Sequence, residues 1–399
     1  MAKLFSLKQC PLAGKTVLVR VDFNVPLDNG IIKGNSRMKA TLPTIEYLLE
    51  QSCTVILATH LGQPDGKVVA HLRLNPLVRE LQRLLPYYKI IKLDDCIGRE
   101  IKERIRKKKE REIFFLENLR FYQQEEKNNP IFAHSLASLA EIYVNDAFAV
   151  SHRNHASVDA ITRFLPAFPG LLLEKEIMYL RKALHPERPS IWLMGGAKLD
   201  KVDLLQQALH KADYVLIGGA LAFPFLKAKG IPVGMSKSSP QSVEIARNIL
   251  PQNISRKIIL PVDFVVAESF SSRAPTRIVA YNQIQNQQIA LDLGPETVKL
   301  FKQYLRKGRT IVWNGPLGYF EWVKFSGATK DIGRFIGSLT ATSIVGGGET
   351  AEALRKFHLA HTIAHLSTGG GAALEFLAGK KLPGIEALER SYEKFRRML

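Results

Sequence analysis

The chain has 399 residues, 46% hydrophobic and 23% charged, enough for two or three packed cores and too apolar for a disordered chain. Its 56 Lys and Arg against 37 Asp and Glu leave a net charge of +19, spread over both halves; this favours anionic ligands without defining a nucleic-acid-binding protein. Cys10, Cys53 and Cys96 are far apart and form no C-x-x-C, which argues against a disulfide framework or a thiolate metal site. The first residues carry no signal-peptide core and no apolar stretch reaches bilayer length, so a soluble, cytoplasmic protein is expected.

In chain order, Thr16 to Val21 reads as a strand ending in Asp22-Phe23-Asn24-Val25-Pro26. Pro43 to Gln51 predicts a helix, Thr54 to Thr59 a strand, and His60-Leu61-Gly62-Gln63 the loop after it. Asn75 to Leu84 predicts a helix, Ile113 to Leu116 and Ile142 to Asn145 two more strands. The run Lys102 to Glu112 is rich in Lys and Arg but holds Glu103, Glu110 and Glu112 and no aromatic residue, so it reads as a solvated helix face rather than a nucleic-acid patch. Leu171 to Leu184, set between prolines, reads as a helix connecting two domains. A second strand–helix series runs from Ser190, with strands at Ser190 to Met194, Tyr214 to Ile217, Thr342 to Val345 and His361 to Leu366. Leu260 to Ala280 has few helical cues and predicts a local antiparallel excursion, and Glu386 to Leu399 a terminal amphipathic helix. Alternating strands and helices predict α/β domains with largely parallel sheets.

Two groups of residues carry the chemistry. In the first half Asp22, Asn24, His60 and Arg153 fall at or after strand ends, with Arg20, Arg37 and Arg120 read in strand-end or loop contexts. Ligands of open α/β sheets bind beyond the carboxyl ends of the strands, and arginine pairs bidentately with carboxylate or phosphate. In the second half four glycine clusters follow strands: Gly195-Gly196-Ala197-Lys198, Gly218-Gly219-Ala220, Gly346-Gly347-Gly348-Glu349-Thr350 and Thr368-Gly369-Gly370-Gly371. Glycine permits close backbone approach, and helix starts offer free N–H groups. With Lys198 as a point charge and Glu349 as a hard oxygen donor, they suggest a nucleotide phosphate with Mg²⁺. Gly14-Lys15-Thr16 is no P-loop, because its strand follows it. His152 and His155 lack a third metal ligand.

These residues sit in longer stretches that resemble the phosphoglycerate kinase family over almost the whole chain. They include Val19-Arg20-Val21-Asp22-Phe23-Asn24-Val25-Pro26, His60-Leu61-Gly62, Leu116-Glu117-Asn118-Leu119-Arg120-Phe121 and Tyr143-Val144-Asn145-Asp146-Ala147-Phe148. His152-Arg153-Asn154-His155-Ala156-Ser157, Leu291-Asp292-Leu293-Gly294-Pro295, Val312-Trp313-Asn314-Gly315-Pro316 and Ser367-Thr368-Gly369-Gly370-Gly371-Ala372 follow in the family's order.

The resemblance implies two similar-sized Rossmann-like α/β domains, each a mainly parallel sheet flanked by helices. Residues 1–170 with about 386–399 would form the 3-phosphoglycerate domain, 171–185 the connecting helix and 186–385 the nucleotide domain. It implies Asp22, Asn24, Arg37, His60, Arg120 and Arg153 as ligands of 3-phosphoglycerate. For Mg-ATP or Mg-ADP it implies Gly195, Ala197, Lys198, Lys201, Gly219, Leu291, Asn314, Pro316, Glu321, Gly347, Gly348, Glu349 and Thr350, with Glu321 on the ribose and Glu349 at the metal. Arg37, Lys198, Gly370 and Gly371 would stabilise the transferring phosphoryl group. A monomer is expected, with small-molecule substrates, no specific nucleic acid and no membrane.

Three departures stand out. Gln63 replaces the family's usual Arg, Lys198 and Lys201 are spaced by three rather than four, and Glu349 replaces the usual Asp. The expected activity is reversible phosphoryl transfer between 1,3-bisphosphoglycerate with ADP and 3-phosphoglycerate with ATP. The alternatives are a family member weakened in catalysis by those departures, and a dinucleotide-binding oxidoreductase, which would need a G-x-G-x-x-G absent here.

Overall fold

The computed structural model describes residues 4–197, 202–251 and 256–397. It divides into two compact units, Met1–Ile177 with Lys381–Leu399, and Met178–Lys380. Among the described residues no helix is long and apolar enough to cross a membrane.

The first unit is built on six strands: β1 Thr16–Arg20, β2 Thr54–Ala58, β3 Lys89–Lys92, β4 Glu112–Phe115, β5 Ile142–Asn145 and β6 Ala167–Pro169. Their order across the sheet is β3-β4-β2-β1-β5-β6, and every neighbouring pair is parallel. β2, β4 and β5 are buried along their whole length, as expected of parallel strands covered on both faces. Because all six run the same way, their carboxyl ends share one edge.

The helix predicted from Pro43 starts seven residues earlier, at Ser36, and runs to Glu50 with Pro43 inside it. Proline removes one backbone bond and costs about 3 kcal/mol in a helix interior. Against that, Met38, Ile45 and Leu48 are buried on one face that spans the proline, each contributing roughly 1.5–3 kcal/mol, so packing wins. Arg37 consequently lies in the first turn of this helix and not in a loop. The helix Asn75–Leu84 has the predicted bounds. The basic run is a helix only as far as Arg106; Lys107 to Arg111 form a turn, and Glu112 opens β4 as a buried residue.

The helix Leu171–Leu184 crosses the division between the units. Asp146, after β5, accepts hydrogen bonds from Leu172 N (3.0 Å) and Leu173 N (3.2 Å) at its first turn. The terminal helix begins at Pro383 rather than Glu386 and ends at Phe395. Pro383 takes the first helical position, where its missing N–H is no loss.

The second unit has β7 Ser190–Met194, β8 Tyr214–Ile217, β9 Ile258–Ile259, β10 Asp263–Ala267, β11 Thr276–Ala280, β12 Ile289–Leu293, β13 Thr310–Asn314, β14 Thr342–Gly346 and β15 His365–Leu366. Its main sheet, ordered β9-β8-β7-β13-β14-β15, is again wholly parallel. The predicted antiparallel excursion is a separate sheet, β11-β10-β12, with both pairings antiparallel. The strand expected over His361 to Leu366 shrinks to its last two residues, because Ala360–Thr362 closes into a 3₁₀ turn.

The turns leaving β7 and β13 touch backbone to backbone. Gly195 N donates to Asn314 O and Gly196 N to Pro316 O, both at 2.8 Å. Gly315 has φ +91°, and a Cβ there would lie 2.1 Å from Gly195 O. Gly315→Ala is therefore expected to lower stability by more than the ~1–3 kcal/mol of backbone strain alone. Gly348→Ala, where a Cβ meets nothing within 4 Å, should stay within ~0.5 kcal/mol. Thermal or urea unfolding of the two variants checks this contrast; equal effects would contradict it.

Candidate functional site

In the first unit the polar cluster forms on the loops leaving β1, β2 and β4. Arg37 Nη1 donates to Asp22 Oδ2 at 2.5 Å and to Asn24 O at 3.1 Å, so the loop after β1 and the first turn of the helix Ser36–Glu50 are joined by an ion pair. Asn24 Oδ1 accepts from Gly62 N at 3.0 Å, and Arg120 Nη1 donates to Gly62 O at 2.8 Å. The His60-Leu61-Gly62 loop is thus held from both sides. Asn118 adds a clamp: its Oδ1 accepts from Leu61 N and its Nδ2 donates to Leu61 O and Leu72 O. Arg120 also faces Glu126 at 3.2 Å.

Arg20 is the residue that sequence reasoning undervalued. It ends β1 and is 1% exposed. Its Nη1 donates to Val21 O at 2.5 Å and its Nε to Ser157 Oγ at 2.8 Å, while that hydroxyl donates to Glu125 Oε1 at 2.5 Å. The guanidinium and the buried Glu125 carboxylate are therefore linked through Ser157, whose N–H also donates to Glu125 Oε2 at 2.9 Å. Arg20 Nη2 lies 3.2 Å from His60 Nδ1. Arginine has only donors, so Nδ1 must present its lone pair and the ring proton sits on Nε2. The sequence signal was there: a charged residue inside the otherwise apolar Val17-Leu18-Val19-Arg20-Val21 is anomalous unless it has a buried task.

Burial holds His60 well below its ordinary range, helped by the positive charges of Arg20 and Arg120. His155, buried in the same cluster, is pushed down to about 3, again mainly by desolvation and then by Arg20 and Arg120. Both rings are neutral at pH 7. Arg153 is exposed in the turn after Val150 and adds to the same positive field. Gln63 is exposed beside Gly62.

In the second unit two cavities open at the carboxyl edge of the main sheet, each about 270 Å³. One is walled largely by apolar side chains, Phe223, Phe264, Leu291, Pro316 and Tyr319, with Gly219 and the exposed Glu321 on its lining. The other is walled by the glycine turns, Gly195, Gly347, Gly348, Gly370 and Gly371, with Asn314 and Thr350. Gly196, Ala197 and Glu349 line both. Glu349 is exposed in the first turn of the helix Gly348–Lys356, where the dipole favours a carboxylate. Asn314 and Thr350 brace this floor: Asn314 Nδ2 donates to Gly346 O, and Thr350 Oγ1 accepts from Gly315 N, each at 2.7 Å. Gly348 and Gly370, by contrast, face open space. Lys198 and Lys201 lie outside the described residues. Among the described residues no cluster of three or more His, Cys, Asp or Glu could hold a metal. Sequence reasoning missed Phe223 and Tyr319, because an apolar wall carries no motif.

An apolar cavity joined to one rich in backbone N–H groups at helix starts defines a nucleotide-type site on a doubly wound α/β unit. The phosphoglycerate kinase family model matches residues 7–380. The chain is 47% identical over 392 residues to a phosphoglycerate kinase of Moorella thermoacetica, covering 97% of this chain and 99% of that one. It is 45% identical over 396 residues to that of Dictyoglomus turgidum, covering 98% and 100%. Among solved structures, phosphoglycerate kinase from Coxiella burnetii superposes with a TM-score of 0.87 at 35% identity, covering 97% and 99%. That from Pyrococcus horikoshii gives 0.87 at 34% identity, covering 98% and 100%. The chain belongs to the phosphoglycerate kinase family, which removes the oxidoreductase reading.

The neutral histidines set a pH dependence. Their folded pKa values lie below the ordinary value near 6.5, so their stabilisation is full above pH 6.5 and lost as pH falls from there toward about 3 for His155. In urea unfolding between pH 7 and 5, wild type should lose stability more steeply than His155→Gln, by up to ~1.4 kcal/mol per pH unit for one proton. Coincident slopes would mean that His155 takes up its proton without unfolding.

Proposed function

We propose that the chain catalyses reversible phosphoryl transfer between 1,3-bisphosphoglycerate with ADP and 3-phosphoglycerate with ATP. The observation that carries this reading is the division of labour between the units. One presents a preassembled cluster of Arg37, Arg120, His60 and Asn24, suited to a phosphorylated hydroxy acid. The other presents paired cavities suited to base and polyphosphate.

The apolar cavity would take the base, with Leu291 and Pro316 against the ring and Glu321 at the ribose. The polyphosphate would run toward Gly348, Gly370 and Gly371, whose N–H groups offer fixed donors. The acid acceptor is a carboxylate, already ionised at pH 7, so no base need remove a proton. That agrees with the chemistry of the cluster: His60 is neutral, with its proton on Nε2, and serves as a hydrogen-bond donor rather than as a base. The remaining tasks are in-line positioning and neutralising charge on the transferring group, which we assign to Arg37, Lys198 and the N–H groups near Gly370 and Gly371. The reading also assigns Asp22 to the orientation of Arg37, Arg153 to the acid substrate, and Lys201 to the nucleotide. The protein is taken to act as a cytoplasmic monomer.

Mg²⁺ fits the donor set. One exposed carboxylate, Glu349, on the wall shared by both cavities suits an ion that keeps waters and draws most oxygens from the phosphates. When bound, the ion would neutralise phosphate charge. The longer Glu side chain in place of Asp leaves this donor type intact. A reading in which Gln63 and Glu349 have cost the chain its catalysis finds no support in the assembled Arg37–Asp22, Arg120–Gly62 and Asn24–Gly62 contacts.

A coupled assay of purified protein with MgATP and 3-phosphoglycerate tests the proposal; no turnover above a protein-free control would reject it. Arg37→Ala is expected to lower kcat by roughly 10²–10³-fold, with ATP affinity changed little, as for loss of one transition-state donor. Near-wild-type kcat under saturating substrates would remove Arg37 from that role. Glu349→Gln should raise the Mg²⁺ concentration needed for half-maximal activity and leave metal-free nucleotide binding unaltered, and Glu349→Asp should be tolerated better. Superimposable metal titrations would reduce Glu349 to a helix-start carboxylate.

A further inference from the structure

The proposed reaction leaves the basic run of the first unit unused. The helix Arg99–Arg106 ends there, and Lys107, Lys108, Lys109, Glu110 and Arg111 follow as an exposed turn. The one buried acid of the run does not neutralise it. Glu112 accepts from Arg104 Nη2 and from Lys109 N, both at 2.9 Å, so it pairs with the helix and pins the turn. β3 lies beside the turn: Lys89 is in register with Glu112, and Lys89 N donates to Arg111 O at 2.8 Å. Lys89, Arg106, Lys107, Lys108, Lys109 and Arg111 are all exposed, and among the described residues none makes an ion pair. Glu110 is the exposed acid among them.

Two further observations single out this surface. Arg111 has φ +58°, a left-handed conformation that Gly or Asn adopts at lower cost, yet a cation occupies it. Tyr87, two residues before Lys89, is 79% exposed, and among the described residues its ring packs against no other aromatic ring. The sequence run holds no aromatic residue; the sheet brings one to it. The surface lies at the amino ends of β3 and β4, whereas Asn118 and Arg120 follow the carboxyl end of β4. A ligand here leaves the anion cluster open.

We infer that this surface binds single-stranded nucleic acid without sequence preference, Lys89, Arg106 to Lys109 and Arg111 tracking the phosphates while Tyr87 stacks on a base. Cations beside an exposed aromatic ring are the elements such binding requires. The chain's net charge of +19 adds long-range attraction. A lipid surface is the poorer match, because beyond Tyr87 and Pro86 the patch offers no exposed apolar side chain for insertion.

The test is fluorescence anisotropy of a labelled 20-nucleotide oligouridylate titrated with the full chain at several salt concentrations. Lys107→Ala/Lys108→Ala/Lys109→Ala should weaken binding at least tenfold and reduce the slope of log K against log salt by about 2, three phosphate contacts at ~0.7 each. Tyr87→Ala should weaken it by about 5-fold or more, the loss of one stacked base. Lys227→Ala/Lys229→Ala/Lys330→Ala removes the same charge elsewhere and should leave affinity within twofold. Equal losses in both triple variants, an unaffected Tyr87→Ala, or tighter binding to phosphatidylserine vesicles than to the oligonucleotide would each overturn the inference. Kinase turnover of the variants, unchanged because none lies in the proposed substrate sites, confirms that they are folded.

Discussion

A parallel sheet has two unlike edges, and both candidate sites depend on that. Each strand of the two six-stranded sheets delivers its chain to the same edge, so loops distant in sequence emerge side by side. In the first unit this places Asp22 and Asn24 after β1, Gly62 after β2 and Arg120 after β4 within one hydrogen-bonded group, with His60 beside them against Arg20. In the second it places the glycine turns after β7, β8, β13 and β14 around two adjoining cavities. Antiparallel neighbours would send alternate loops to opposite edges, as in the small sheet β11-β10-β12.

Convergence brings a cost that differs between the units. In the first, the guanidinium groups of Arg20 and Arg120 are both buried in the same cluster. The burial of Arg20 is made tolerable by Ser157, whose hydroxyl bridges it to the buried Glu125, and by keeping His60 and His155 neutral. A protonated His60 facing Arg20 would add like-charge repulsion to desolvation, and both act in the same direction. In the second unit the meeting parts are backbone. Gly195 and Gly315 approach so closely that no side chain fits between them. Those glycines make the floor, and Gly348 and Gly370, which face open space, are the ones free to meet a ligand. Glycine-rich sequence thus covers two physical tasks that sequence alone did not separate.

The parallel α/β architecture was legible because strand runs and helical runs alternate, and the connecting helix kept its bounds at Leu171–Leu184. What failed was local. Proline was read as the helix start at Pro43, where buried side chains on both flanks carry the helix through, and the terminal helix was started at Glu386, although proline at 383 occupies its favoured first position. The six-residue strand at His361 contracted because a 3₁₀ turn takes its first two residues and a bend the next two. The charged and glycine-bearing members of the sites were visible as motifs. Arg20 stood in the motif, but its partners Ser157 and Glu125 are more than a hundred residues away, and only the fold brings them together. The apolar wall of Phe223 and Tyr319 has no signature beyond hydrophobicity, which the whole core shares.

The departures from the family's usual residues are informative because of where they fall. Gln63 is exposed at the rim, while the loop it belongs to is fixed by Asn24, Asn118 and Arg120 through Leu61 and Gly62. Its identity can change the local charge without moving the loop. Glu349 likewise is exposed, on a helix start braced by Thr350 and Asn314. In both places the scaffold is determined by neighbours that are buried and hydrogen-bonded. At these two positions the variation falls on side chains that reach outward, where it alters local electrostatics without touching the hydrogen bonds that hold the backbone.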